Sequence, residues 1–400
     1  MGPINVAQMV SRLCVGGGTR TACLIAANLD ASKFHSILIG GHAGSGERDD
    51  NELIRRLGLS PVYIDGMRRS IQPVDFLALT RVERLLVANK VQILNTHSSK
   101  AGALGRIAGV LRLIKSGKRP RIIHTIHGHV FKGYFNSAVS RAFVHIERAL
   151  ARFTDTILTV SNEVRRDLID VYGIAPPAKV RVMPLGLDFG WIKELSRHRG
   201  WLRERIGVTG STCLIGAIGR LAPVKNHALM LKAFQRAQRK ADFDAVLVIF
   251  GDGELRSELE KECGALGIAD RVVFRGWELD TARIFSDLDI TCLSSVNEGL
   301  PLTLLESVAA GVPIVSTCVG GIADLLTQGI HGEMVRSGDA EALAAALWRA
   351  AQKRSRIDDT SSREIRTRYS VDSLIKYVTD IYEESLLSTG AIQRAVSAPV

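Results

Sequence analysis

Closely spaced cysteines are missing from this 400-residue chain. The six it has, Cys14, Cys23, Cys213, Cys263, Cys292 and Cys318, include no pair at metal-ligand or redox spacing, which argues against a disulfide framework and a zinc site. Cys213 and Cys292 stand in or beside apolar strands and read as small core residues in a reducing compartment. No stretch of about eighteen uncharged apolar residues occurs, so no transmembrane helix is expected. The N-terminal run Ile4–Val10 is too short and too lightly flanked for a signal peptide and reads as a first strand. These absences point to a cytoplasmic protein.

Acidic residues are scarce in the first half. Residues 1–190 hold 26 Lys and Arg against 14 Asp and Glu, whereas residues 191–400 hold 26 against 27, so the first half carries the whole excess behind the net charge of +11. Between 101 and 150, Arg106, Arg112, Lys115, Lys118, Arg119, Arg121, Lys132, Arg141 and Arg148 face Glu147 alone. A helix expected from Lys100 to Leu113, with Ala103, Leu104, Ile107, Val110 and Leu111 interleaved, leads into this stretch. Residues 106–121 fit a surface drawn to anionic lipid headgroups, which would put the protein on the inner face of a membrane, or to a phosphate-bearing acceptor. A basic surface that serves only solubility is the competing reading. Nucleic acid is not expected as a partner, because no nucleic-acid module is recognisable and aromatic residues are sparse in the basic stretch.

Four hundred residues suit two or three domains, and 46% hydrophobic residues suffice for a core in each half. Strands near Ile4–Val10, Ser36–Ile39, Val62–Ile64, Ile93–Thr96, Ile122–Ile126, Thr156–Val160 and Val180–Met183 alternate with helical patterns, as in a parallel sheet with crossover helices. A boundary is placed after Pro184–Asp188, giving domains at 1–188 and 189–370. Residues 371–400 supply a last helix, Val371–Leu386, and a small polar tail from Ser388 expected to be disordered.

The most informative segment is Glu298-Gly-Leu-Pro-Leu-Thr-Leu-Leu-Glu306. Gly299 lets backbone approach a ligand, and Pro301 suits the first position of a helix, whose free N–H groups would face a diphosphate over Gly299 and Leu300. Leu302 follows in the first turn and Glu306 falls on the second. Two acceptor-only carboxylates flanking an anion site suit hydroxyls, sugar on one side and ribose on the other. The plain alternative is a surface helix with two solvated glutamates. Upstream, the strand near Leu214–Gly219 is followed by Arg220 and Lys225, two cations at a strand's carboxyl end, where open α/β sheets bind ligands. Next come a second strand, Ala245–Phe250, with Gly251-Asp252-Gly253, and Val272–Trp277 containing Arg275-Gly276.

In this ordered set, Gly219-Arg220 with Lys225-Asn226, Gly251-Asp-Gly253, Phe274-Arg-Gly276, Glu298 to Glu306, and Gly311-Val-Pro313 with Gly320-Gly321, the chain resembles the retaining glycosyltransferases of family 4. The resemblance implies the GT-B fold: two Rossmann-like α/β domains whose parallel sheets face a central cleft, acceptor in the first and nucleotide sugar in the second, with the last helix returning to the first. It implies that Glu298 contacts the donor sugar, Glu306 the ribose, and Arg220 and Lys225 the diphosphate. The segment Arg275-Gly276-Trp277 resembles the part that receives the base, which suggests a UDP-sugar as co-substrate and no separate cofactor.

Two features of the first half join this reading. Gly16-Gly17-Gly18-Thr19 is a glycine turn opening a helix, with Gly17 and Gly18 placed to offer backbone N–H groups to the donor phosphate, or else a plain flexible turn. Thr19-Arg20-Thr21 stands where many family members have an acidic residue. The second feature is His124-Thr-Ile-His127-Gly128-His129 at a strand end. His124 and His127, three apart on a strand, point to opposite faces, so no metal is assigned. The family places a histidine here against the donor sugar, and His127 is the match; His129 and His97 are assigned more weakly to the acceptor side. The implied activity is transfer of a hexosyl or N-acetylhexosaminyl unit to a hydroxyl acceptor, lipid-linked or soluble, in glycan or glycolipid biosynthesis. A nucleotide-sugar epimerase of the same architecture and a non-catalytic membrane-bound scaffold are the alternatives.

Overall fold

The computed structural model describes residues 2–44, 47–67, 75–128, 131, 137–326 and 331–396, the side chains of Ser137 and of residues 388–396 excepted. Of these, the residues up to Gly186 and from Val371 onward form one compact unit, and Leu187–Ser370 form another.

The first unit is built on seven parallel strands: β1 Ile4–Val10, β2 Phe34–Gly40, β3 Val62–Tyr63, β4 Ile93–His97, β5 Arg121–Ile126, β6 Thr156–Thr159 and β7 Val180–Val182. All seven lie where the apolar runs predict them, in the order β3-β2-β1-β4-β5-β6-β7. Both faces of the sheet are covered, as a parallel sheet requires. Val6 and Ile93 pack with Ile25, Leu374 and Val378 on one face, while the alternate residues Ala7, Met9 and Leu94 pack with Val82, Leu86 and Leu104 on the other. The chain runs outward from β1 to β3 and then returns to the other side of β1 as β4, so the direction of winding reverses between β1 and β4.

The C-terminal helix runs Val371–Val396, about ten residues beyond the expected end, and the tail read as disordered is helical through Val396. The segment holds no proline before Pro399, and Ala391, Gln393, Arg394 and Ala395 favour helix. Residues 397–400 lie outside the described residues.

The second unit has β8 Cys213–Ile218, β9 Ala245–Phe250, β10 Val272–Gly276, β11 Ile290–Leu293, β12 Ile314–Thr317 and β13 Gly332–Val335, all parallel, in the order β10-β9-β8-β11-β12-β13. Here winding reverses between β8 and β11. Of the last three strands the sequence marks only β11, through Cys292, and gives no bounds for it: each has four residues, and the polar side chains of Thr291, Ser316 and Thr317 are buried within them. Cys213 and Cys292 are core residues, and burial pushes both thiols up to about 12.

The basic stretch is largely folded inward, which corrects its reading as one continuous surface. Arg106 is fully buried on the Ser99–Ser116 helix and makes a bidentate ion pair with Glu147, at 2.7 and 2.8 Å. Arg112 donates to the carbonyls of Leu86 and Val91, and Arg119 and Arg121 both bond Asp155. The exposed cations of 106–121 are Lys115 and Lys118.

Candidate functional site

In each sheet the carboxyl ends of the two strands flanking the reversal point diverge into loops on opposite sides, and ligands of open α/β sheets bind in that crevice. In the second unit the residues singled out in the sequence gather there. Arg220 follows β8, and Lys225 ends a short 3₁₀ turn, Pro223–Lys225, held by the left-handed Asn226 at φ 49°. Glu298 lies in the loop after β11, the neighbouring strand. Lys225 Nζ donates to Glu298 Oε1 at 2.6 Å, and Ser295 Oγ donates to the same oxygen at 2.6 Å. The cation and carboxylate expected to serve phosphate and sugar separately are thus joined to each other. Ser294 Oγ fixes the other loop by donating to the carbonyls of Lys225 and Asn226. Arg220 is half-buried and has no carboxylate partner among the described residues.

The helix after Glu298 runs Leu302–Ala309, so Pro301 is the capping residue and Leu302 the first helical one, a shift of one from the expected start. At φ −72° and ψ 121° Pro301 has not yet turned into the helix, and no side chain caps the end, so its first N–H groups remain available. Gly299 and Leu300 lead into this end. The helix is buried on residues 304–309 and Glu306 is only 6% exposed. That removes the solvated-surface reading of both glutamates, since the Glu298 side chain is 12% exposed. Gly320, at φ 57°, backs the loop so closely that a Cβ there would lie 1.8 Å from the Glu298 carbonyl oxygen. Arg275 lies on β10 with its guanidinium over the Trp201 ring, and the carbonyl of Gly276 accepts from Gly251 N–H at 2.7 Å.

In the first unit the helix Gly17–Asn28 begins at the glycine turn after β1, with Gly17 and Gly18 as its first two residues. His97 is the last residue of β4 and is fully buried, and His127 follows β5 and is half-buried. The structure brings these groups together. A Cβ on Gly18 would sit 3.3 Å from His127 Cδ2, and His97 Nδ1 lies 3.0 Å from His127 Nε2. Beyond His97 the polar chain continues: His97 Nε2 is 3.0 Å from Gln8 Oε1, Gln8 Nε2 donates to Tyr382 Oη at 2.8 Å, and Asn95 Nδ2 donates to the same hydroxyl oxygen at 3.0 Å. Burial pushes His127 down to about 4, and burial with the adjacent His127 and His124 holds His97 well below its ordinary 6.5. Both imidazoles are therefore neutral near pH 7. His129 lies outside the described residues. His124 faces away, bonded to Thr96 Oγ1 at 2.9 Å and near Glu147.

Gln8, Ser295 and Tyr382 were missed from the sequence. A lone glutamine in the apolar strand Ile4–Val10 was the available signal for the first, since a buried amide demands partners. Tyr382 carries no such mark in a helix that also buries Leu374, Val378 and Ile381.

The comparisons agree with this geometry. Residues 15–190 match the family model described as Glycosyltransferase Family 4, and residues 212–353 match that described as Glycosyl transferases group 1. The chain is 27% identical over 335 residues to an Escherichia coli UDP-Gal:alpha-D-GlcNAc-diphosphoundecaprenol alpha-1,3-galactosyltransferase, covering 82% of this chain and 84% of that one. It is 27% identical over 369 residues to a D-inositol 3-phosphate glycosyltransferase of Geodermatophilus obscurus, covering 86% and 78%. Among solved structures, Anabaena Alr3699/HepE in complex with UDP and glucose superposes with a TM-score of 0.77 at 18% identity, over 94% of this chain and 99% of that one. Two family models in succession along the chain, relatives that are glycosyltransferases over most of its length, and loop residues gathered at both reversal points lead to one assignment: the chain belongs to the group 1 glycosyltransferases and has their GT-B fold.

Proposed function

We propose that the protein transfers a hexosyl or N-acetylhexosaminyl unit from a UDP-sugar to a hydroxyl of a lipid-linked acceptor, with retention of anomeric configuration. The observation that carries the donor part is the meeting of Lys225 and Glu298 from two loops on either side of the β8–β11 reversal. Arg220, Lys225 and the uncapped start of the Leu302–Ala309 helix supply positive charge for a diphosphate leaving group. Glu298 accepts from a sugar hydroxyl, buried Glu306 from the ribose, and His127 from a further sugar hydroxyl. Gly17 and Gly18 offer backbone N–H groups to phosphate, Arg275 and Gly276 border the base, and His129 serves the acceptor side; His97 does not, being fully buried with both ring nitrogens bonded, one to His127 and one to Gln8. In this scheme the leaving phosphate takes the acceptor's proton on the face it departs from, and cationic side chains meet its charge without a cofactor. The Escherichia coli relative, which by its name uses UDP-Gal and a diphosphate lipid, supports the donor class and the acceptor class.

An anionic membrane as the place of the acceptor is supported by a smaller surface than the sequence suggested. The helices Asp75–Ala88 and Ser99–Ser116 pack with their carboxyl ends together, where Lys115 Nζ lies 3.2 Å from Glu83. At these ends Val87 and Ile114 are 50% and 75% exposed beside Arg84, Lys90, Lys115 and Lys118. Apolar tips ringed by cations suit an anionic bilayer face.

UDP-galactose, UDP-glucose and UDP-N-acetylglucosamine, each incubated with the protein, should give slow UDP release that a diphosphate-lipid sugar acceptor accelerates. The product's anomeric coupling by NMR should match that of the donor. A product of inverted configuration overturns retention, and binding of GDP-sugars in place of UDP-sugars overturns the base assignment.

A further inference from the structure

The polar chain behind His127 runs into the core as far as Tyr382, and its direction can be read from its donors and acceptors. Gln8 Nε2 donates to Tyr382 Oη, which turns Gln8 Oε1 toward His97 Nε2. A carbonyl oxygen only accepts, so His97 carries its proton on Nε2. A neutral imidazole has one such proton, so His97 Nδ1 is a bare lone pair, and the nitrogen 3.0 Å away, His127 Nε2, must donate to it. The reverse arrangement would put both rings in the Nδ1–H form, intrinsically the less stable tautomer of a neutral imidazole. His127 then has a bare Nδ1, which bonds no described residue.

We propose that Gln8, acting through His97, fixes His127 as the Nε2–H tautomer so that Nδ1 accepts a hydrogen bond from a hydroxyl of the transferred sugar, and that Tyr382 holds Gln8 in the orientation this needs. Gln8, His97 and Tyr382 are positioning residues; His127 is the group that meets substrate. The inference rests on the proposed donor role of His127 for its consequence, but not for its geometry. The second-unit residues do not enter it: the proton on one imidazole of the first unit is set from the C-terminal helix, through Tyr382, Gln8 and His97.

The test is long-range proton–nitrogen correlation NMR on the full chain labelled with ¹⁵N-histidine, the His127 signals being assigned by their loss in His127→Ala. The native protein should show His97 and His127 protonated on Nε2. Gln8→Leu removes the acceptor, and His127 should become a mixture of tautomers with kcat lowered about tenfold, the size of one lost hydrogen bond, at little change in donor KM. Gln8→Glu restores an acceptor and should restore the tautomer. Tyr382→Phe, which deletes only a hydroxyl, should loosen the tautomer as Gln8→Leu does and serves if Gln8→Leu fails to fold. A native His127 protonated on Nδ1, or a tautomer indifferent to both Gln8→Leu and Tyr382→Phe, overturns the proposal. If the tautomers are as stated while His127→Ala transfers sugar at the native rate, the relay stands and the donor role of His127 falls.

Discussion

Replacing Lys225 and Glu298 singly and together tests whether they act as one device in donor turnover. Their atoms lie 2.6 Å apart, with side chains 24% and 12% exposed, so neither is fully shielded by water from the loss of the other. Lys225→Met removes a preorganised charge from a developing phosphate anion, which costs about 3 kcal/mol or roughly a hundredfold in kcat. Glu298→Gln keeps the shape and an acceptor for Ser295 but loses the charge that holds both Lys225 and a sugar hydroxyl, and a similar factor is expected. Groups in direct contact couple by up to about 3 kcal/mol. With a coupling of about 2 kcal/mol, the double variant should fall roughly three-hundredfold below native, rather than the roughly ten-thousandfold of independent losses. The assay is UDP release at saturating donor, read as kcat and kcat/KM for the four proteins of the cycle. Losses that multiply in the double variant, or a Lys225→Met enzyme within about threefold of native, would refute the reasoning.

Glu306→Ala should weaken free UDP by about 1–3 kcal/mol in calorimetry, whereas Glu298→Ala should spare UDP and damage use of the UDP-sugar; equal loss of UDP affinity in both contradicts the split. Arg106→Met leaves Glu147 as an uncompensated buried charge and should lower stability in urea unfolding by about 3–5 kcal/mol, while Lys118→Ser should leave it unchanged; a mild Arg106 phenotype would mean the ion pair opens to water. Changing Arg84, Lys90, Lys115 and Lys118 to Ser should release the protein from anionic vesicles, at about 1 kcal/mol per cation, without slowing UDP-sugar hydrolysis, and a native protein that ignores such vesicles at low salt rules the membrane surface out. Burial, then the nearby Lys225, pushes buried His227 from 6.5 down to about 4, so between those values the unfolded chain binds the extra proton and stability should fall as pH drops through that window. A native urea profile no steeper there than that of His227→Leu would show that the imidazole is already charged in the folded state.

The sequence was most legible where a physical rule forces a local pattern. Parallel strands buried on both faces must be apolar runs, and so all seven strands of the first sheet were readable, while of the short, partly polar β11–β13 only β11 left a mark, at Cys292. Charge was least legible, because a list of residues does not say where an arginine points. Arg106 looked like the start of a basic surface and is instead the largest fully buried side chain among the described residues, matched by Glu147, the one acidic residue in the sequence between 101 and 150. Lys225 and Glu298 are 73 residues apart, and only the order of strands β8 and β11 makes them neighbours. The Gln8–His97–His127 chain likewise needs β1, β4 and β5 side by side before it exists.

The dependence of the first unit on Val371–Val396 carries a consequence for how the protein is made. Leu374, Val378, Ile381 and Tyr382 complete the same cluster as Val6, Ile25, Phe34 and Ile93, with Leu187–Ser370 intervening in the chain. During synthesis the first sheet therefore emerges with one apolar face incomplete, and it stays so while the whole of the second unit is translated and folds. At about 5–20 residues per second that wait lasts on the order of ten seconds or more, a period in which the uncovered face is open to chaperones or to self-association. A chain stopped after Ser370 would carry an intact second sheet beside a first sheet that never closes, and its nascent form should be the one that aggregates.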